Sequence, residues 1–353
     1  MKTKITKIFF FIVMLWLPLF ASAHEAYVLS AQEFSAGLKT ISWGAFAALK
    51  DPGNIKFSLV VGLGVLLALG INLWFRRTHL EKFLNFELSH LKHLGLFIVR
   101  LSVSASLFFS ALGMQFLGTE LSLTAFPHPL LIRAILFLVS FMLVLGLFTE
   151  AAAIIGLGLF AQAFYLFGGY MFTYANYLGE FLVLALFGSR MFSLDSYIFK
   201  PLSRFARLKE YETTIVRVCY GLALLYAAVT IKLLHPQLTL DVIRDYNLTQ
   251  FHWLFPHDPL LITLGAGLTE AAIGLFIIFG FETRLTVFIS LFYITLSLLF
   301  FQEKVWPHLI LYGISINLII SDGGKLTLDD WLDKYFKRRK LLRGAKNFLN
   351  RFV

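Results

Sequence analysis

"FPHDPLLITLGAGLTEAAIGLFIIFGFETR" runs from Phe255 to Arg284, and its apolar part, Pro259–Gly280, carries one acid, Glu270, near its middle. From Pro259 to Gly280 it is apolar and long enough to cross a hydrocarbon core of about 30 Å. Glu270 lies about 15 Å from either end of such a helix. A lone carboxylate at that depth costs at least about 2.5–3.5 kcal/mol. It must be neutral, or face the bundle interior and a cation on a neighbouring helix. The opening phrase also occurs twice, as "FPHPLLI" at Phe126–Ile132 and "FPHDPLLI" at Phe255–Ile262.

The rest of the chain agrees with a membrane span. Of 353 residues, 58% are hydrophobic and 15% charged, and several apolar runs reach about 18 residues or more. The expected class is an all-α membrane protein. The net charge of +10 reports orientation in such a protein and gives no reason to invoke nucleic acid. The one cysteine, Cys219, excludes an intrachain disulfide and a CxxC redox pair, and reads as a packed apolar side chain.

Residues 1–23 read as a signal peptide: Lys2, Lys4 and Lys7, then apolar Ile8–Phe20, then "ASA" at Ala21–Ala23. Cleavage there would make His24 the mature N-terminus, on the outside. Nine spans follow, near 55–75, 94–118, 129–148, 150–169, 173–189, 213–235, 259–280, 284–301 and 306–320. Threaded from an outside N-terminus, they put Arg76, Arg77, Lys82, Lys92, Arg190, Lys200, Arg204, Arg207 and Lys209 inside, and only Lys39, Lys50, Lys56, Arg244 and Lys304 outside. That asymmetry predicts a bacterial plasma-membrane protein with a cytoplasmic C-terminus. Residues 333–353 space apolar side chains helically among basic ones, as an amphipathic helix on the anionic inner leaflet does.

The chain also contains its own near-copy. Arg100–Gln115 precedes Arg217–Lys232 by 117 residues, and "GLFTE" at Gly146–Glu150 precedes "GFETR" at Gly280–Arg284 by 134. "FSLDSY" at Phe192–Tyr197 precedes "LTLDDW" at Leu326–Trp331 by the same 134. The expected domains are therefore residues 24–94 (an outer segment, one span and a cytoplasmic connector), a four-helix repeat at 95–200, a basic connector at 201–212 and a second repeat at 213–332. Four spans per copy make the repeats parallel. At matching places the first copy has Gln115 for Lys232, Leu136 for Glu270 and Tyr174 for His308. It has lost most of the polar set, so the site is expected in the second copy.

These features carry a family resemblance. An Arg opens the first helix (Arg217), a Lys stands near its end (Lys232) and a Glu lies within the second (Glu270). A "GFETR" turn follows, then "WPH" at Trp306–His308 and "SDGGKLTLDDW" at Ser321–Trp331. Over about 120 residues the second copy resembles the DoxX/DoxD-like integral membrane proteins, and the first copy does so more weakly. The resemblance implies a membrane subunit or anchor of a quinone-linked sulfur or thiol oxidoreductase, with a partner redox subunit.

Arg217, Lys232, Glu270 and His308 are the candidate catalytic residues and quinone contacts. Arg217 approaches Glu270 from the inner side and Lys232 from the outer side, and both remain open as its cation. The competing reading of this set is an ion pair that only fixes helix register. Asp322 and Asp329 read as a turn and a helix cap. Six histidines fall outside, including His24, whose amine and imidazole offer a weak alternative, a periplasmic metal site. A transporter or assembly scaffold is the competing function class.

Overall fold

The computed structural model describes residues 25–75, 87–88, 90–188, 191–198, 208–250, 256–332 and 334–335. The expected signal peptide, His24, most of the basic connector residues and nearly all of the expected amphipathic tail lie outside these residues.

The described chain is helical apart from one short hairpin. It begins with α1 (Glu25–Val28), α2 (Ala31–Gly37), a 3-10 segment (Gly44–Lys50) and α3 (Pro52–Phe75). The first half continues with α4 (Gly95–Leu112), the hairpin β1 (Gln115–Phe116) and β2 (Gly118–Ser122), α5 (Pro129–Leu145), α6 (Thr149–Phe167), a 3-10 segment (Gly168–Tyr174), α7 (Ala175–Phe187) and α8 (Asp195–Ile198). The second half has α9 (Glu212–Ala227), a π-helical segment (Ala228–Leu233), α10 (Pro236–Asp245), α11 (Pro259–Phe279), α12 (Thr283–Phe300), a 3-10 turn (Trp306–His308) and α13 (Leu309–Ser321).

Six of these helical runs are long and apolar enough to cross a membrane, and Pro129–Leu145 and Trp306–Ser321 are shorter apolar helices. This is the pattern of a multi-pass membrane protein. The run Thr149–Phe187 turns at Gly168 (φ 60°, ψ −144°), and its two arms pack on each other. α3 exposes leucines and valines on all sides, among them Leu59, Val60, Leu63 and Leu66, as a helix surrounded by lipid does.

Local chemistry sets the helix ends. Pro129 and Pro259 open α5 and α11, where a missing N–H costs nothing. Gly146 (φ 62°) and Gly280 (φ 64°) close them in the left-handed conformation.

At this end of the bundle the two halves use the same contacts. Arg100 donates to the Phe192 carbonyl at 2.7 Å, and Arg217 donates to the Leu326 and Gly323 carbonyls at 3.0 Å each. Asp195 accepts from the backbone N–H groups of Phe148 and Thr149, and Asp329 accepts from that of Glu282. Asp329 thus acts as a cap. Phe148 and Glu282, and likewise Phe192 and Leu326, share positive φ. Each of these pairs keeps the sequence offset of 117 or 134.

The same offsets govern helix packing. Between the halves, α4 lies along α13 and α7 along α9. A Cβ at Gly313 would strike Ser102, and one at Gly179 would strike Cys219. Cys219 is therefore a small packing residue at a close helix contact. Within the halves, Ser104 and Ser140 exchange hydroxyl-to-carbonyl bonds of 2.8 Å, while at the matching places Gly221 meets Gly274 backbone to backbone. Small residues let helices approach closely where lipid supplies no hydrophobic drive. One apolar core runs through both halves, from Val99 and Leu136 to Ile277 and Leu318.

Candidate functional site

The opposite end of the bundle is built differently. There the helix begun by α9 passes into the π-helical segment that carries Lys232. The Leu234 N–H bonds back to Val229, and His235 Nδ1 meets the Thr230 carbonyl at 2.5 Å, which satisfies two of the groups the wider turn releases. π-bulges of this kind are frequent at functional sites. Gly267, three residues before Glu270 on α11, lets the segment approach: a Cβ there would lie 3.3 Å from Lys232 Cβ.

Lys232 is almost completely buried and faces two carboxyls. Nζ is 2.6 Å from Glu25 Oε1 and 3.4 Å from Glu270 Oε2. The Thr239 hydroxyl on α10 also donates to Glu25 Oε1 at 2.8 Å. The triad sets one ammonium against two acids, so it is either an anion or holds an extra proton.

A second group adjoins it. His308 Nε2 is 3.1 Å from Glu303 Oε2, and Ser297 donates to Glu303 Oε1 at 2.6 Å. His308 Nδ1 faces the Lys304 carbonyl at 3.0 Å, and a carbonyl can only accept. Nδ1 therefore bears a hydrogen, while Glu303 Oε2 is buried without an aligned hydrogen-bond donor. The ring of Tyr27 stands edge-on to His308 at 5.6 Å, and its hydroxyl is 3.2 Å from that of Tyr174. Tyr174 and Tyr170 both donate to Glu120 Oε1, at 2.5 and 2.8 Å. Burial pushes the Glu120 carboxyl above its ordinary range, against the effect of those two hydrogen bonds. Burial and the Glu120 carboxyl push the Tyr27 phenol well up.

The structure thus brings Lys232 and Glu270 together, with His308 in the adjoining group. Arg217 is not with them: its guanidinium is spent on the two carbonyls at the far end, about 22 Å along the helix for 15 residues of rise. Of the two cations expected for Glu270, Lys232 is the one within reach. Matching residues of the first half do not form a copy of the site. Gln115 donates to the Thr119 carbonyl within the hairpin, and Leu136 lies in the apolar core. Tyr174, however, stands at the edge of the cluster.

Sequence reasoning missed Glu25, Tyr27, Glu120, Tyr170 and Glu303. Glu25 and Tyr27 come from the segment just after the expected cleavage site, and 207 residues separate Glu25 from Lys232. α10 was also missed, although its buried Leu238, Val242 and Ile243 recur at helical spacing behind Pro236. Among the described residues, no group of three or more His, Cys, Asp and Glu side chains is arranged to hold a metal ion.

No protein-family model, curated protein sequence or solved structure matches the chain.

Proposed function

We propose that the chain is a DoxX-like membrane protein of two parallel four-helix repeats and nine crossings, with its N-terminus outside and C-terminus in the cytoplasm of a bacterial plasma membrane. In this reading it is the proton-handling membrane subunit of a quinone-linked sulfur or thiol redox system. The recurrence of the arginine, glycine and aspartate contacts at fixed offsets supports the repeats. The Lys/Arg bias supports the orientation, which puts the Lys232 cluster on the outer side.

One observation carries the function: a buried lysine shared by two carboxyls on a π-helical turn. One ammonium balances one carboxylate, so the second acid adds a place for a proton. The adjoining cluster extends the supply through Glu303–His308 and the tyrosines on Glu120.

The donor and acceptor balance fits a quinol better than a quinone. Glu270 Oε2 is buried without an aligned hydrogen-bond donor, so it suits a hydroxyl group more than a carbonyl. Glu270 would hold such a group, which when bound supplies two electrons and two protons. The chain's own part is acid–base: Glu270 would take a proton at Oε2 and become neutral, Lys232 would offset the negative charge left on the donor oxygen, and Glu25 and Thr239 fix the ammonium.

The test uses the purified full chain in detergent. A short-chain quinol titrated against intrinsic tryptophan fluorescence should give saturable quenching. Glu270→Gln and Glu25→Gln should each weaken it about tenfold or more, the scale of one hydrogen bond to a charged group. Quenching that does not saturate, or that both variants leave unchanged, rejects the quinol reading in favour of a transporter or scaffold.

A further inference from the structure

The first half carries a buried acid that neither the Lys232 triad nor the frame at the arginine end uses. Glu180 on α7 is fully buried, and neither of its carboxyl oxygens has a hydrogen-bond partner. It lies midway along an apolar helix packed on α4, α6 and α9. The matching place in the second half, 134 residues on, is Ile314, a core residue. An acid where its counterpart is isoleucine adds nothing to packing. An ionised carboxylate without a partner costs several kcal/mol in such surroundings, so Glu180 rests there with its proton on and is ionised only in passing.

Its neighbours form a line. Tyr174, at the end of the 3-10 segment, and Tyr177 and Glu180 on α7 succeed one another at three-residue spacing, so each steps about 60° around the axis from the last. The Tyr177 hydroxyl pairs with Ser106 on α4 and lies 3.4 Å from the Leu117 carbonyl. Ser110, one turn beyond Ser106, is buried with its hydroxyl unpartnered. The Tyr177 ring adjoins that of Tyr174, which donates to Glu120. Of the other ionisable groups on the elements packed against α7, Glu150 lies beside Gly188, Tyr220 pairs with Ser290, and Tyr165, Glu212 and Tyr226 stand elsewhere on α6 and α9. Cys219 on α9 packs against Gly179, and Arg100 and Arg217 are bound to carbonyls at the arginine end.

We propose that Glu180 is a second intramembrane proton-binding site, filled from the Glu120 cluster through Tyr174, Tyr177 and the Ser106–Ser110 hydroxyls. The ligand is a proton alone. Glu180 cycles between carboxylic acid and carboxylate, and Tyr177 passes a proton on by giving up the hydrogen it holds and taking another, with no electron moved. The site lies at the seam of the two halves and depends neither on Lys232 nor on quinol binding.

Two measurements on the full chain test this. Dicyclohexylcarbodiimide, a lipophilic reagent for protonated carboxyls, should modify Glu180 as read by peptide mass spectrometry. A water-soluble carbodiimide should not, and excess sodium should not protect. Equal modification by the water-soluble reagent overturns the burial, and protection by sodium turns the site into one for a metal cation. The absence of any modification at Glu180 overturns the proposal. Infrared spectra of wild type minus Glu180→Gln should show a protonated carboxyl band that shifts in heavy water. If the band is missing, the acid is ionised. If it fails to shift, the acid is sealed and structural. Either result overturns the proposal. Tyr177→Phe should slow that shift at least tenfold while leaving the band in place, and an unchanged rate removes the tyrosine from the path.

Discussion

At one end of the bundle the two halves of the chain are alike, and at the other they are not. Arg100 and Arg217 reach carbonyls at matching residues, Asp195 and Asp329 cap matching helices, and Gly146 and Gly280 make the same left-handed turn. At the opposite end Gln115, Leu136 and Tyr174 stand where the second half has Lys232, Glu270 and His308. Along α7 and α13 the trade is reversed, with Glu180 against Ile314. The shared contacts are those that close helix ends, which every helix needs. The contacts that differ place charge in the interior, where each group costs energy and persists only for a use. The N-terminal segment then joins what the halves hold separately, since Tyr27 touches both Tyr174 and His308.

The largest effect is expected at Lys232. Lys232→Met leaves two buried carboxyls without their cation, and removing one partner of a buried pair costs about 3–5 kcal/mol. Melting temperature in detergent should fall steeply, and adding Glu25→Gln and Glu270→Gln should restore much of it. A Lys232→Met variant as stable as wild type would mean that the buried charges cost the fold nothing, and the contrast would fail.

The arginines test the likeness directly. Arg100→Leu and Arg217→Leu each remove hydrogen bonds from a charged donor to carbonyls that close a turn. Such bonds are worth about 1.5–3 kcal/mol. The two losses should agree within the error of chemical denaturation. If one variant is neutral and the other severe, the frame is not shared.

Smaller again is the expected cost of crowding the seam. Gly179→Val and Gly313→Val push a branched side chain into Cys219 and Ser102, and overpacking of this kind costs about 1–3 kcal/mol. Comparable losses sharpen the comparison, while a loss at only one position shows the halves packed unequally.

What could be read before the structure follows the same division. The apolar runs, their prolines and their closing glycines show in composition and period alone, and each segment read as a span contains a helix, although the one at 94–118 runs past the end of α4 at Leu112 into the hairpin. Glu270 declared itself by its depth in an apolar run, and Lys232 by its place on the neighbouring helix. Glu25 could not. It lies in no apolar run, and its partner is 207 residues away, so only the folded path of the N-terminal segment brings them together. Arg217 was legible as a buried cation, but not its use, because backbone carbonyls leave no mark in a sequence. Glu180 lay in an apolar run like Glu270, but without a resemblance or a cation to point to it.

The smallest effect concerns Glu120, in the hairpin outside the spans. Its stem is partly exposed, but the carboxyl is enclosed, with Oε2 unpartnered and Oε1 taking the Tyr174 and Tyr170 hydroxyls. Burial outweighs those bonds and raises the group above its ordinary value of 4.5. As pH climbs past that value, the unfolded chain gives up the proton while the folded chain keeps it. The folded state then binds more protons, so stability falls with rising pH until the folded group ionises too. The contribution is fully present below about pH 4.5 and is lost as pH passes upward through the raised value. One proton gives a slope of at most about 1.4 kcal/mol per pH unit, and partial solvation of the stem makes it smaller. Melting temperature measured from pH 4 upward should therefore decline more in wild type than in Glu120→Gln. Gln115→Glu, which places an acid where the second half has Lys232, gives no such relief. Parallel curves for wild type and Glu120→Gln would show that Glu120 is ionised in the folded protein, held by its two tyrosines as Glu25 is held by Lys232. The two ends of the N-terminal bridge would then carry the same kind of charge instead of different ones.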